Sequence, residues 1–186
     1  ESEPAMGSEL RFDGRVVIVT GAGAGLGRSH ALLFASRGAK VVVNDFGAST
    51  DGAKGGDASP AEQVASEIRT AGGQAIADAH SDADEASCAA IVESALSTFG
   101  RLDVVINNAG IHIAKPFVEI DAAQLRRVFD VHFFGTAFLT RLAWPHLVRS
   151  GGGRVVNTAS AAAFGMSHYT AYGAAKGAII SLTRSL

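Results

Sequence analysis

Cysteine is almost absent from this chain of 186 residues, in which Cys88 is the single example. One cysteine excludes an intrachain disulfide and a metal cage of cysteine thiolates, and it fits a reducing compartment. The net charge is −2 and no basic run occurs, so we expect neither nucleic acids nor acidic membranes as partners. No apolar run approaches the roughly 20 residues that span a bilayer. With 47% apolar and 18% charged residues, the composition predicts a globular protein.

The sequence also shows no signal-peptide pattern, because residues 1–9 are polar and acidic. A cytoplasmic location is therefore expected. We expect residues 1–9 to be disordered or tag-derived, and residues 10–186 to form one domain with its own core.

Strand-length apolar runs alternate with helix-length amphipathic segments along the chain. The predicted strands are 16–20, 41–45, 74–79, 104–107 and 154–158, and the predicted helices are 26–37, 60–71, 83–99, a long one from 121, and a last one from 170. Gly38 and Gly100 should end two helices, and Pro145 should kink or end the long one. Strands that are apolar throughout are buried on both faces, which is typical of parallel sheets. The pattern predicts an α/β, Rossmann-like doubly wound sheet with strand order 3-2-1-4-5.

A glycine-rich turn follows the first predicted strand, with the sequence TGAGAGLG at 20–27. Between a strand and a helix, such glycines permit a tight turn, backbone approach to a pyrophosphate, and close helix packing. A plain loop is the alternative. In this position we predict dinucleotide binding by Gly21, Gly25, Leu26 and Gly27.

Acidic and small residues follow other strands. Asp45 ends the second strand, where a carboxylate can accept both ribose hydroxyls of NAD and repel a 2′-phosphate. No Lys or Arg occupies 21–27 or 44–48, so NAD is favoured over NADP. Asp82 follows the third strand and is predicted either to bond the adenine amine or to cap a helix. The segment Asn107-Asn108-Ala109-Gly110 ends the fourth strand. Its small residues leave room for the adenosine ribose and its asparagines can brace neighbouring loops by hydrogen bonds; alternatively it is only a turn. We predict cofactor binding by Asn107, Ala109 and Gly110.

Tyr172 and Lys176 are four residues apart on a predicted helix, which places them on one face. A free phenol has a pKa of about 10, and a neighbouring ammonium favours the phenolate. Such a phenol can act as general base toward an alcohol or as acid toward a carbonyl. Ser160 follows the fifth strand, at the edge where open α/β sheets bind ligands. Taken singly, each of these residues could also be an ordinary surface residue.

Together, the four motifs resemble the short-chain dehydrogenase/reductase family over about residues 10–186. The matching residues, in family order, are Thr20-Gly21-x-x-x-Gly25-x-Gly27, Asn107-Asn108-Ala109-Gly110, Ser160 and Tyr172-x-x-x-Lys176. The resemblance implies an NAD-dependent enzyme that interconverts a secondary alcohol and a ketone. It implies that Tyr172 is the acid/base, that Lys176 favours the phenolate and binds the nicotinamide ribose, and that Ser160 orients the substrate. It also implies a homodimer or homotetramer.

A narrower resemblance is to the (3R)-hydroxyacyl-CoA dehydrogenase domains of peroxisomal multifunctional enzymes of type 2. It is carried by RFDGRVV at 11–17, GAGAGLGR at 21–28, VND at 43–45 and the long Gly-rich stretch after Asp45. His132 is a further shared mark, since most of the wider family has a catalytic asparagine there; it is predicted to be either a relay member or a packed helix histidine. This resemblance implies a 3-hydroxyacyl-CoA substrate, and a peroxisomal location if the chain belongs to such a eukaryotic enzyme.

Two departures from the family pattern qualify these expectations. Ser160 and Tyr172 are 12 residues apart, one fewer than the family's usual spacing, so the loop between them should differ. The family fold also continues with two further strands beyond residue 186, so we interpret the sequence as C-terminally truncated. The alternatives are a steroid or polyol dehydrogenase, a ketoacyl-thioester reductase, or a truncated non-catalytic nucleotide-binding or scaffold protein. No metal site is predicted, and the other histidines are interpreted as surface or packing residues: His30, His80, His112, His146 and His168.

Overall fold

The computed structural model describes residues 10–186, so the expectation for residues 1–9 lies outside the described part. Five parallel strands form one sheet in the order β3-β2-β1-β4-β5. They are β1 (Val16–Thr20), β2 (Lys40–Asn44), β3 (Gln74–Asp78), β4 (Val104–Asn107) and β5 (Arg154–Asn157). The predicted doubly wound sheet and its strand order are confirmed.

Helices connect the strands and cover both faces of the sheet. They are α1 (Gly25–Ser36), α2 (Ser59–Thr70), α3 (Glu85–Phe99), α4 (Ala122–Phe129), α5 (Gly135–Arg149) and α6 (Thr170–Ser185). The predicted stops at Gly38 and Gly100 are confirmed, since both glycines have a positive φ, of 91° and 77°. Within residues 10–186, no helix is both long and apolar enough to cross a membrane.

The core has two halves because alternate residues of β1 point to opposite faces of the sheet. Val17 and Val19 pack in a cluster with α1 and α2 residues, whereas Val16 and Ile18 pack in a cluster with α3 and α5 residues. All five β1 residues are buried, as expected for a central parallel strand. The two edge strands depart from the predicted two-sided burial: Val156 of β5 is 48% exposed, and in β3 Gln74 is exposed while Ile76 and Ala77 are half-buried.

The long helix predicted from Asp121 differs from expectation in two ways. Its capping box of Asp121 and Gln124 is confirmed, but a π-helical turn at Asp130–Phe134 divides it into α4 and α5. Pro145 does not end it, since α5 continues to Arg149. The proline removes one helical hydrogen bond, while Leu147 two residues later is buried in the core and holds the last turn in place.

Candidate active site

Two positions at the turn between β1 and α1 accept only glycine. Gly21 has a φ of 61°, and a Cβ there would lie 2.8 Å from the Cα of Ala109. A Cβ on Gly27 would lie 2.1 Å from the carbonyl oxygen of Gly21. The turn therefore touches both the end of β4 and the first turn of its own helix, as expected of a turn that brings backbone close to a ligand.

Helix α1 begins without a side-chain cap. Its N-cap residue is Ala24, and no side chain accepts a hydrogen bond from the first turn. Most helices use Ser, Thr, Asp or Asn at this position to satisfy the free N–H groups. Uncapped N–H groups with the positive end of the helix dipole suit an anionic ligand such as a pyrophosphate.

A cavity of ≈ 340 Å³ opens in front of this turn, at the carboxyl ends of the strands. It is lined by residues from the β1 turn, from the segment after β2, from the segment after β3, from the end of β4 and from α4. Five of the predicted cofactor residues are among those lining it: Gly21, Asp45, Asp82, Ala109 and Gly110. The volume is in the range of small-molecule sites.

Asp45 is held at the edge of this cavity by two backbone amides. The N–H of Gly23 donates to Oδ2 and the N–H of Gly47 donates to Oδ1, each at 2.8 Å. A carboxylate oxygen can accept more than one hydrogen bond, so both oxygens can still accept a ribose hydroxyl. Gly23 is required for this contact, because a Cβ there would lie 2.7 Å from Oδ2.

Asp82 lines the cavity, and the alternative prediction that it caps a helix is wrong. The N-cap of α3 is Asp84, whose carboxylate accepts from the N–H of Ser87 at 2.9 Å. Burial raises the pKa of Asp82 to about 7, and the negative charge of Asp45 acts in the same direction. A titratable group of this kind beside a cavity is common at functional sites.

The other six predicted cofactor residues do not line the cavity: Gly25, Leu26, Gly27, Asn107, Tyr172 and Lys176. Leu26 is 67% exposed. The Asn107 amide donates to Thr140 Oγ1 at 2.9 Å and to Asn157 Oδ1 at 2.8 Å, which ties β4 to α5 and β5. Asn107 therefore braces neighbouring segments, as the sequence predicts for the asparagines of this motif.

Thr20 and Asn108 join the β1 and β4 turns, a bracing role that was predicted for the asparagine but not for the threonine. The Thr20 hydroxyl accepts from the N–H of Asn108 at 3.1 Å and of Ala109 at 3.0 Å. The Asn108 amide donates back to the Thr20 carbonyl at 3.0 Å. Both residues belong to motifs that the sequence analysis identifies, so their place in those motifs is the signal that could have identified their role.

Tyr172 and Lys176 lie on one face of α6, as their spacing predicts. The Lys176 Nζ is 5.7 Å from the centroid of the Tyr172 ring and donates to the carbonyl of Thr158 at 2.5 Å. Lys176 is 3% exposed, and burial lowers its pKa to about 8, against the opposing effect of Asp82. The Tyr172 hydroxyl makes no hydrogen bond with any residue in 10–186, which leaves it available to a substrate.

His132 sits in the π-helical turn, buried beside Tyr172, with ring centroids 5.1 Å apart in an edge-to-face arrangement. Its Nε2 is 2.9 Å from the Ile111 carbonyl oxygen and 3.2 Å from the Ile111 amide. Burial and the Lys176 charge lower the pKa of His132 to about 4, so the ring is neutral at pH 7. Its Nδ1 is buried with no partner within the described residues.

Ser160 caps the 3₁₀ turn Ala161–Phe164 that follows β5, with its Oγ accepting from the N–H of Ala162 at 3.2 Å. This turn packs against α6 one residue beyond Tyr172, because a Cβ on Gly173 would lie 2.5 Å from the Ala162 carbonyl oxygen. The shortened loop between Ser160 and Tyr172 thus holds this turn directly on the helix that carries the tyrosine.

Two further residues at this edge were not predicted. His112 was interpreted as a surface or packing residue, but its ring centroid lies 4.9 Å from that of Tyr172. Arg127 on α4 lines the cavity and donates to the carbonyl of Asp51 at 3.4 Å. Neither belongs to a motif, and their proximity depends on how separate segments fold together. Within residues 10–186, no group of three or more potential metal ligands is present.

The cavity is lined by a glycine turn on an uncapped helix and by a carboxylate after β2. The tyrosine–lysine pair packs against His132, which bonds Ile111 in the cavity lining. This arrangement is typical of dinucleotide-dependent oxidoreductases. A family model described as short chain dehydrogenase matches residues 15–186. The chain belongs to the short-chain dehydrogenase family.

Similar proteins place the chain within this family. It is 45% identical over 184 residues to a peroxisomal hydratase-dehydrogenase-epimerase of Neurospora crassa, covering 97% of this chain and 20% of that protein. It is 46% identical over 186 residues to the peroxisomal multifunctional enzyme type 2 of Mus musculus, covering 97% of this chain and 24% of that protein. The chain thus spans about a fifth to a quarter of the length of these two relatives.

A solved structure of similar fold is a 7α-hydroxysteroid dehydrogenase in complex with NADH and 7-oxo glycochenodeoxycholic acid. Its TM-score is 0.83 at 35% identity, covering 92% of this chain and 64% of that one. The predicted family and fold are confirmed by these matches.

Proposed function

We propose that this protein is an NAD-dependent oxidoreductase that interconverts a secondary alcohol and a ketone, with 3-hydroxyacyl-CoA as the preferred substrate class. The observation that carries the proposal is the Tyr172–Lys176 pair. Tyr172 packs against His132, which bonds Ile111, and Ile111 lines the same cavity as Asp45. A hydroxyl with no protein partner next to a buried ammonium is the arrangement that acid–base chemistry on an alcohol requires.

In this proposal Tyr172 takes the proton from the substrate hydroxyl during oxidation and returns it during reduction. Lys176 stabilises the phenolate through its positive charge, which its pKa of about 8 preserves at pH 7. Ser160, on the turn that packs against α6, donates a hydrogen bond to the substrate oxygen. A bound nicotinamide supplies the hydride acceptor.

The preference for NAD over NADP rests on Asp45. Its carboxylate can accept the adenosine ribose hydroxyls and would repel a 2′-phosphate. The amides of Gly23 and Gly47 hold it in place for this role. Asp82 lies on the same cavity, where it can accept a hydrogen bond from the adenine amine.

The substrate class rests on the 44% and 46% identity to two peroxisomal multifunctional enzymes of type 2. It rests also on the resemblance to such domains that His132 and the long Gly-rich segment after Asp45 suggest. A steroid is the second candidate, because the 7α-hydroxysteroid dehydrogenase binds a 7-oxo steroid on the same fold. We further propose a homodimer or homotetramer, and a cytoplasmic location or, within a eukaryotic multifunctional enzyme, a peroxisomal one.

The proposal predicts that Tyr172→Phe abolishes turnover but not cofactor binding. The substitution removes only the hydroxyl that transfers the proton, which contributes about 10²- to 10⁴-fold to the rate. NAD reduction with 3-hydroxybutanoyl-CoA and a hydroxysteroid measures turnover, and quenching of Trp144 fluorescence or calorimetry measures NADH binding.

Equal turnover by the wild type and Tyr172→Phe would remove Tyr172 from the mechanism. NADH binding by a wild type that turns over none of these alcohols would favour the non-catalytic, nucleotide-binding alternative. Oxidation of the steroid alone would favour the second candidate.

A further inference from the structure

His112 presents a free imidazole directly beside the proposed acid/base. Its ring centroid is 4.9 Å from that of Tyr172, with the two planes inclined by 37°, so the rings lie obliquely side by side. The side chain is exposed and makes no hydrogen bond with any residue in 10–186. It follows Ile111, which lines the cavity, whereas His112 itself stands just outside that lining.

The backbone at His112 is fixed although its side chain is not bonded. The His112 N–H donates to the Thr50 carbonyl at 2.8 Å. The preceding residue, Ile111, is held by the buried ring of His132. The imidazole therefore projects from a segment whose backbone is fixed, and its two nitrogens can form hydrogen bonds with a ligand.

The two histidines beside Tyr172 differ in what they can do. His132 is buried and engaged with backbone groups, which suits it to holding the segment in place. His112 is exposed, and its ring lies against that of Tyr172. A neutral imidazole offers one donor and one acceptor, so it can bond a substrate carbonyl.

We propose that His112 donates a hydrogen bond to the thioester carbonyl of a 3-hydroxyacyl substrate while Tyr172 engages the 3-hydroxyl. The proposal rests on the function proposed above and assigns His112 as a residue that recognises the substrate. His112 thereby selects alcohols that carry a second oxygen two carbons from the reacting one. Sites built to bond a substrate oxygen discriminate strongly against analogues that lack it.

The test pairs two variants with two substrates. His112→Phe keeps an aromatic ring against Tyr172 but removes the donor, whereas His112→Gln keeps a donor. The substrates are the pantetheine thioester of 3-hydroxybutanoate and its thioether, in which a methylene replaces the thioester carbonyl. The thioether retains the reacting hydroxyl and the pantetheine arm.

For the thioester, we expect kcat/KM to fall about tenfold in His112→Phe, the effect of one lost hydrogen bond, and to be largely retained in His112→Gln. For the thioether, the wild type and both variants should be equally slow. Calorimetric binding of the 3-oxobutanoyl thioester to the NAD⁺ complex should show the same pattern without turnover.

Equal losses on both substrates, or no loss on either, would overturn the inference and leave His112 as a packing residue. The oxidoreductase function would then stand if the wild type still oxidises either compound. A wild type that oxidises neither, yet binds the thioester more tightly than His112→Phe does, would contradict the proposed function and support the role of His112. Failure to bind either compound would contradict both.

Discussion

At the scale of single residues, burial moves the pKa of three groups beside the cavity. It raises the pKa of Asp82 to about 7, lowers that of Lys176 to about 8 and lowers that of His132 to about 4. At pH 7 the lysine is therefore charged and the histidine neutral. The arrangement leaves one buried positive charge beside the Tyr172 phenol, which is the charge that acid–base chemistry there needs.

The buried ammonium of Lys176 predicts a specific dependence of stability on pH. Between about pH 8 and 10.5 the unfolded chain keeps a proton that the folded protein has lost, so the free energy of unfolding rises with pH. Lys176→Met lacks this titration. Relative to that variant, the wild type should gain roughly 3 kcal/mol across the window.

Urea unfolding of both proteins at each end of this pH window measures the difference. The other titrating groups are common to both proteins and largely cancel. Parallel pH profiles would show that the folded protein leaves the lysine with its ordinary pKa.

At the scale of elements, the π-helical turn Asp130–Phe134 connects α4 to α5 and turns His132 toward the extension of β4. The Nε2 atom of His132 faces both the N–H and the C=O of Ile111 but can bond only one of them, since one nitrogen is either donor or acceptor. A carboxamide has both a donor and an acceptor. In a glutamine at position 132, the carboxamide lies as far along the side chain as Nε2 does in histidine.

His132→Gln should therefore retain the stability of the wild type within about 1 kcal/mol, because its amide can bond both Ile111 groups. His132→Met fills similar space but leaves them unpaired, which should cost about 1–3 kcal/mol. Urea unfolding at pH 7 measures both variants. If the methionine variant is as stable as the glutamine variant, the hydrogen bond between position 132 and Ile111 contributes nothing to the free energy of unfolding.

At the scale of the whole molecule, the cavity gathers segments that are far apart in sequence. Gly21, Asp45, Gly110 and Arg127 all line it, and they come from the β1 turn, the end of β2, the end of β4 and α4. A ligand in the cavity contacts several of these segments at once and binds only the folded state. It should therefore stabilise the entire fold.

NADH at 100 times its Kd should raise the free energy of unfolding by about 2.7 kcal/mol. At the same concentration NADPH should stabilise less, because its 2′-phosphate meets the Asp45 carboxylate. The control variant Asp45→Ser should narrow the gap between the two cofactors in thermal unfolding. If NADPH stabilises the wild type as well as NADH does, the Arg127 guanidinium is the better candidate for deciding cofactor choice.

The sequence alone predicted the strands and the separate motifs, because both depend on local patterns, and the strand order then followed from the right-handed crossover rule for βαβ units. Apolar runs such as Val16–Thr20 mark buried strands, and glycine marks positions such as Gly38 and Gly100 that need a positive φ. The four-residue spacing of Tyr172 and Lys176 fixes their shared helix face in the same way. These features carried the prediction of the fold and of the family.

Only the tertiary structure decided which side chains meet. It assigned the α3 cap to Asp84 instead of Asp82 and chose Thr140 and Asn157 as the partners that Asn107 braces. It also carried α5 past Pro145, because core packing outweighs one missing hydrogen bond. It also set His112 against Tyr172, 60 residues further along the chain. Contacts over such separations depend on how whole elements pack, and no local pattern in the sequence encodes them.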